Sequence, residues 1–302
     1  MMTHGYNEGR QANLQDPTGG RYGRWTVSND IISVSASIRQ AGAVDSIWWN
    51  GKEFINAYDR GRELQIAVSK NGHGECFNPT EAGSLEDGRK TTSTSVLKRV
   101  SASGNTLTTQ VLPAFWLPPD TFDKRCDRVI NKVHVSNYRF NKNVQVGYGG
   151  LRHAIQFLTQ VYVPEAVNSL AIEAPTGYLV GDFTAFYTYN PATRVLTRLS
   201  ETLPAGEQGL PLILASPDGN YAMGCWSPHL PQPQFPGIGY GQFRFPSSDA
   251  AYSTMKWNVV FRTGALAAGT TLNFRTFISV GTLENVRVTM TQLYDKWRAG
   301  TL

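Results

Sequence analysis

At 302 residues the chain can bury a full-sized core, and all-β sandwiches of this length fold as single domains. Its 28 basic and 23 acidic residues give a formal charge of +5, too mild and too evenly spread to point to nucleic acid. No Arg/Lys cluster is interleaved with aromatics in the manner of a phosphate-tracking groove.

Cys76, Cys126 and Cys225 stand far apart, so they make no close metal-binding pair, and their odd number is not a disulfide framework. One disulfide plus a free thiol stays open. The first residues lack the apolar stretch of a secretory signal, and no later run could span a bilayer. The expectation is a cytoplasmic protein without membrane contact, although a removed signal would leave the same trace.

In chain order, residues 1–23 are polar and glycine-rich and predict an extension, held by Tyr22 or Trp25. Strand character begins at Trp25. Ile32, Val34, Ala36 and Ile38 alternate with serines, the period of a half-buried strand. Residues 44–49 predict the next strand, and Asn50-Gly51 a hairpin turn into residues 52–55. Residues 61–68 and 91–100 are also strand-like, and between them lies the stretch HGECFNPTEAGSLEDG, residues 73–88. A loop of that length without pattern is uncommon in a compact domain unless it is functional or disordered. Cys76, Phe77, Pro79 and Leu85 argue against disorder, so this loop is the predicted site.

Further strands are predicted over residues 105–115, 129–140, 144–147, 155–163, 178–189, 210–215 and 221–227. Pro217-Asp218-Gly219-Asn220 is a turn, and residues 228–240, with four prolines and two glycines, form a loop. Late core strands are expected over 257–262 and 271–280. Residues 283–297 alone predict a helix, with Val286, Met290, Leu293 and Trp297 on one face. Many strands, turns between them and no βαβ alternation predict an all-β, antiparallel two-sheet sandwich with a short C-terminal helix. No linker divides residues 24–302, which are taken as one domain.

AGAVDSIWWNGKEFINAYDRGRELQ (41–65), NYAMGCWSP (220–228) and KWNVVFRTGALAAGTTLNFRTFIS (256–279) resemble the galactose mutarotase-like proteins in order and spacing. The resemblance implies a large supersandwich whose concave face receives a saccharide. That group includes aldose epimerases and serves as a domain in carbohydrate hydrolases and lyases. The chain departs from the epimerase pattern in two places. The His-rich stretch is missing, with His73 and Glu75 standing alone, and the late-strand acid has no clear equivalent, since Glu284 either fills that place or begins the final helix.

Sugar chemistry needs a proton donor and an acceptor, supplied by paired carboxylates or by a His with a carboxylate or Tyr. Glu81 leads the catalytic candidates, because Pro79 stiffens its approach and Ala82 and Gly83 leave it uncrowded. Its bland alternative is a turn acid. Glu75 follows. His73, between two glycines and otherwise a surface histidine, and His153, placed to share a cleft with Arg152, complete the set. Arg62 and Arg152 are candidates to hold a uronate. Asn78, Thr80 and His229 are candidate substrate contacts. Trp226 and Tyr240, with Trp48, Trp49, Trp116 and Tyr148, are candidate stacking rings unless they are core.

No metal or cofactor is expected: the histidines show no demonstrated convergence, and the loop acids lack the oxygen-ligand spacing of a calcium loop. The predicted activity is cleavage of a glycosidic bond by acid/base chemistry, as a hydrolase or uronate lyase. Aldose epimerisation and non-catalytic carbohydrate binding are the alternatives. The expected partners are a saccharide and a second copy in a homodimer.

Overall fold

The computed structural model describes residues 23–302 except Arg125 and Asp127, so the expected extension over 1–23, Gly23 apart, lies outside the described residues. Strand accounts for 46% of the structure and helix for 10%, as the alternating pattern predicts. The first sheet runs β1 (Arg24–Ser28), β2 (Ile32–Ser37), β3 (Val44–Trp49), β5 (Leu64–Lys70), β12 (Leu170–Val180), β19 (Thr254–Thr263), β18 (Tyr240–Phe245), β15 (Gly206–Gln208). Short β4 (Lys52–Glu53), β6 (Pro79–Thr80) and β9 (Ala114–Phe115) attach to it. The second sheet runs β14 (Val195–Arg198), β13 (Ala185–Asn190), β16 (Leu212–Ala215), β17 (Ala222–Trp226), β20 (Thr270–Gly281), β11 (Ala154–Val163), β10 (Arg139–Val146), β8 (Thr106–Leu112), β7 (Val96–Ser103).

All the pairings are antiparallel, and one core fills the space between the sheets. Val34, Ile47, Leu64 and Ile66 from the first sheet meet Leu107, Val144, Phe157 and Val161 from the second. Each such buried side chain contributes roughly 1.5–3 kcal/mol relative to exposure. A second cluster forms under α1 (Leu283–Arg298), where Val286, Met290 and Leu293 pack on Ala154, Phe277 and Trp226 of the second sheet's outer face. Thr282 caps this helix by accepting from the Asn285 N–H at 3.1 Å, and the Asn285 side chain answers by accepting from the Thr282 N–H.

Two expected strands are redrawn. Residues 129–140 are mostly irregular and only Arg139–Val146 is strand: before it the Ser136 N–H donates to the Pro113 carbonyl, while the Asn131 and His134 carbonyls accept from the Asp120 and Phe115 amides. Residues 178–189 are the end of β12, a turn at Gly181, and β13. No helix among the described residues is long and apolar enough to cross a membrane.

Candidate functional site

β12 lies at the middle of the first sheet, between β5 and β19. Its outer face carries a cleft of about 530 Å³ lined by acids, a lysine, an arginine and a tyrosine. Glu173 pairs with Val260, but Thr176 pairs with Asn258, so β12 holds one residue more than its neighbour between these points. That bulge reverses the alternation: Ala171 and Glu173 face the cleft before it, and Tyr178 faces the cleft after it. A regular strand would point residues 173 and 178 to opposite faces.

Across the strand boundary Tyr178 stands directly opposite Lys256. The Lys256 Nζ lies 4.9 Å from the Tyr178 ring centre and 3.4 Å from the Glu173 carboxylate. Asn258 donates to the same carboxylate at 2.8 Å. Burial pushes the Tyr178 phenol up, Lys256 pulls against it and Glu173 adds to the push. Burial works against the Lys256 ammonium, but Glu173 and Tyr178 outweigh it and hold its pKa above the ordinary lysine value. The phenol therefore keeps its proton and the lysine its charge through the neutral range.

Further along β19, Arg262 grips Glu207 of β15 through both carboxylate oxygens, at 2.8 and 2.7 Å. Gly177 makes room beneath the cleft: a Cβ there would stand 2.6 Å from the Trp257 ring, so only glycine lets that indole lie under the Glu173–Tyr178 segment.

The predicted site loop forms one wall. It is ordered by two 3-10 turns, Gly74–Phe77 and Leu85–Asp87, flanking β6. Of the sequence candidates, Glu75, Asn78 and Thr80 line the cleft. Thr80 spends its hydroxyl on the Gly83 carbonyl at 2.5 Å. Trp116 belongs to this wall, its N–H donating to the Asn78 carbonyl at 2.8 Å, and its ring lies so close to Gly61 that a Cβ there would be 2.7 Å away. A disulfide joins Cys76 of the loop to Cys126, with 5.8 Å between the Cα atoms, while Cys225 is a buried free thiol.

The structure places the remaining candidates elsewhere. Glu81 is enclosed in the interior, paired with Lys142 of β10 and accepting from the Ile66 N–H at 3.1 Å. Such a carboxylate reaches no ligand without opening the core, and its surroundings suit it to holding the sheets together. His73 sits at the start of the first 3-10 turn, where its N–H donates to Lys70. Arg62 is paired with Asp59, its guanidinium 5.5 Å from the Tyr252 ring. Arg152 is an exposed partner of Asp30.

His153 bonds the Val280 carbonyl at 2.7 Å and lies edge-on to Trp49. Trp226 is stacked on Phe277 under α1. Tyr240 is buried, its oxygen accepting from the Ser227 N–H at 3.0 Å. His229 packs edge-on to Phe261, its pKa lowered by burial and by Arg275.

Sequence reasoning passed over Glu173, Tyr178 and Lys256 as site residues. The available signal was charge on otherwise apolar strands, in LAIEAPTGYLV and TMKWNVVFRT.

No protein-family model matches the chain, and no curated protein matches it. Solved structures match its fold. The galactose mutarotase related enzyme of Lactobacillus acidophilus is 12% identical, with a TM-score of 0.47 over 86% of this chain and 98% of that one. The α-galactosidase of Lactobacillus brevis is 10% identical, with a TM-score of 0.51 over 90% of this chain, which spans only 42% of that enzyme. The heparan sulfate lyase of Pedobacter heparinus is 7% identical, with a TM-score of 0.44 over 87% of this chain and 36% of that one. The likeness to galactose mutarotase-like proteins is one of fold, and residue roles rest on the cleft itself.

Proposed function

We propose that the chain is an enzyme that cleaves a glycosidic bond of a saccharide held in the first-sheet cleft. The observation that carries this reading is the convergence of Tyr178, Lys256 and Glu173 on one open face. Tyr178 gives its proton to the leaving oxygen, and Lys256 opposite stabilises the phenolate left behind. Glu173, steered by Asn258 and Lys256, takes the proton of the attacking water. Glu75 and Asn78 bond sugar hydroxyls, and Trp116 offers its ring to a sugar face. These roles replace the part expected of Glu81.

The charge balance supports a neutral saccharide over a uronate. Lys256 is paired with Glu173 and Arg262 with Glu207, so a substrate carboxylate entering here would have to displace a protein carboxylate. The deciding experiment assays wild type, Tyr178→Phe and Glu173→Gln on neutral oligosaccharides and on oligouronates. Each variant should lower kcat by about 10²–10⁴ with KM little changed, the scale of general acid–base groups. Turnover of oligouronates alone would turn the reading to elimination, and unchanged kcat in both variants would end it.

The Cys76–Cys126 disulfide supports an oxidising compartment in place of the cytoplasm that the sequence suggests. A homodimer covering an edge strand such as β1 or β7 is the proposed assembly, and sedimentation showing only monomer would remove it.

A further inference from the structure

The outer face of the second sheet is divided. One end is covered by α1, while over β8, β10, β11 and the start of β20 lies an open groove of about 660 Å³. On its floor, side-chain amides are linked in a row across four strands. Gln110 donates to Asn141 at 3.0 Å, Asn141 to Gln160 at 2.7 Å, and Gln160 to Asn273 at 3.0 Å. Strands stand about 4.8 Å apart, so the row spans roughly 14 Å.

Each link uses one N–H and one carbonyl lone pair. A primary amide has two of each, so both interior members keep a donor and an acceptor for a ligand. Sheet surfaces are ordinarily furnished with β-branched and oppositely charged pairs, and a run of four amides is poor in intrinsic strand preference.

The charges around the row are of one sign. Arg99 extends it beside Gln110, and Arg275 stands in the next row beside Leu158. Arg139 lies on the other side, its guanidinium 3.9 Å from the Tyr162 ring centre. Among the described residues none of these arginines is paired with a carboxylate, and no Asp or Glu lines the groove. The cleft on the first sheet is the opposite case, since Lys256 and Arg262 there are both paired with acids.

We propose that this groove binds an anionic polysaccharide, as a second site separate from the cleft. The amide row bonds the hydroxyls of successive sugars, and Arg99, Arg139 and Arg275 take their carboxylate or sulfate groups. A nucleic acid fits less well: a row of neutral amides matches a hydroxylated face, whereas a phosphate backbone calls for a cation at each step. The site stands whether or not the cleft is catalytic.

Binding of full-length protein to polygalacturonate, dextran sulfate, neutral dextran and a single-stranded oligodeoxynucleotide tests it, at low salt and at matched thermal stability. Wild type should bind one or both anionic glycans more tightly than the oligonucleotide, and neutral dextran weakly. Polygalacturonate against dextran sulfate separates carboxylate from sulfate recognition.

Arg99→Gln with Arg275→Gln should weaken binding about tenfold or more. Asn141→Thr with Gln160→Thr leaves the charge unchanged and should weaken it about fivefold. Loss in the arginine variant with none in the amide variant would mean unspecific charge attraction and overturn the proposal. Tighter binding of the oligonucleotide, or no binding of either anionic glycan, would also overturn it.

Discussion

Glu81 and Lys142 form an ion pair sealed between the two sheets, with side-chain exposures of 1% and 0%. Lys142 points inward from β10 and also donates to the Gly42 carbonyl, so one ammonium ties the second sheet to two segments of the first. Burial lowers the Lys142 pKa, and the Glu81 carboxylate is the main force opposing that. Glu81→Gln removes the opposing charge and leaves a buried ammonium without a counterion. The expected cost is about 3–5 kcal/mol, read as a lower urea midpoint. Replacing both residues by methionine should recover most of it, because the pair's own desolvation cost goes too. In either variant the folded fraction should turn over substrate within a few fold of wild type. A loss of kcat in a fully folded Glu81→Gln protein would restore Glu81 to the chemistry.

The pH dependence of turnover follows from Tyr178. Its pKa is raised by burial, so the proton it donates is retained up to and beyond about pH 10, the ordinary tyrosine value. The alkaline limb of kcat should lie above that point, and kcat should be flat between about pH 7 and 9. An alkaline fall near neutrality would instead implicate a histidine.

Stability should depend on pH through Glu63. This side chain is fully buried, and burial together with the Asp59 charge raises its pKa well above the usual carboxylate range, against the pull of Arg60. Unfolded, it titrates near pH 4.3. Between that pH and its folded pKa the native state holds the extra proton, so stability falls as pH rises through this window. Glu63→Gln should flatten the dependence, with a gain over wild type that is larger at about pH 8 than at about pH 5. Parallel urea midpoints for the two proteins would show instead that another group governs the slope.

The fold was legible because its signal is periodic. Ile32, Val34 and Ala36 alternate in sequence and lie inward in β2, and Val286, Met290 and Leu293 mark the buried face of α1 as expected. The site was legible only at its wall. A patternless loop marked the place of Glu75, Asn78 and Thr80, but Glu81 in the same loop turns inward, and no local feature reports which way a loop carboxylate points. β12 was missed for a definable reason: Pro175 and Gly177 argue against a central strand. The structure absorbs Pro175 in the bulge that brings Tyr178 to the cleft face and sets Gly177 against the Trp257 ring, so the irregularity that hid the strand is what builds the site.

The Cys76–Cys126 disulfide bears on both stability and the shape of the cleft. It closes a loop with a sequence separation of 50 residues, for which chain entropy gives about 4 kcal/mol of stabilisation. Both its ends support the loop wall of the cleft. Cys76 lies in the turn that presents Glu75 and precedes Asn78, and Cys126 packs with Leu117 beside Trp116. Tyr178, Glu173 and Lys256 stand on strands that the bond does not touch. Cys76→Ala with Cys126→Ala should therefore lower the urea midpoint and raise KM several-fold, while kcat at saturating substrate stays within about twofold. Reduction of the wild type with a thiol should reproduce both effects, and reduction of the variant should do nothing further. A kcat loss equal to the KM change would mean that the wall residues act in the transition state and not only in holding the sugar.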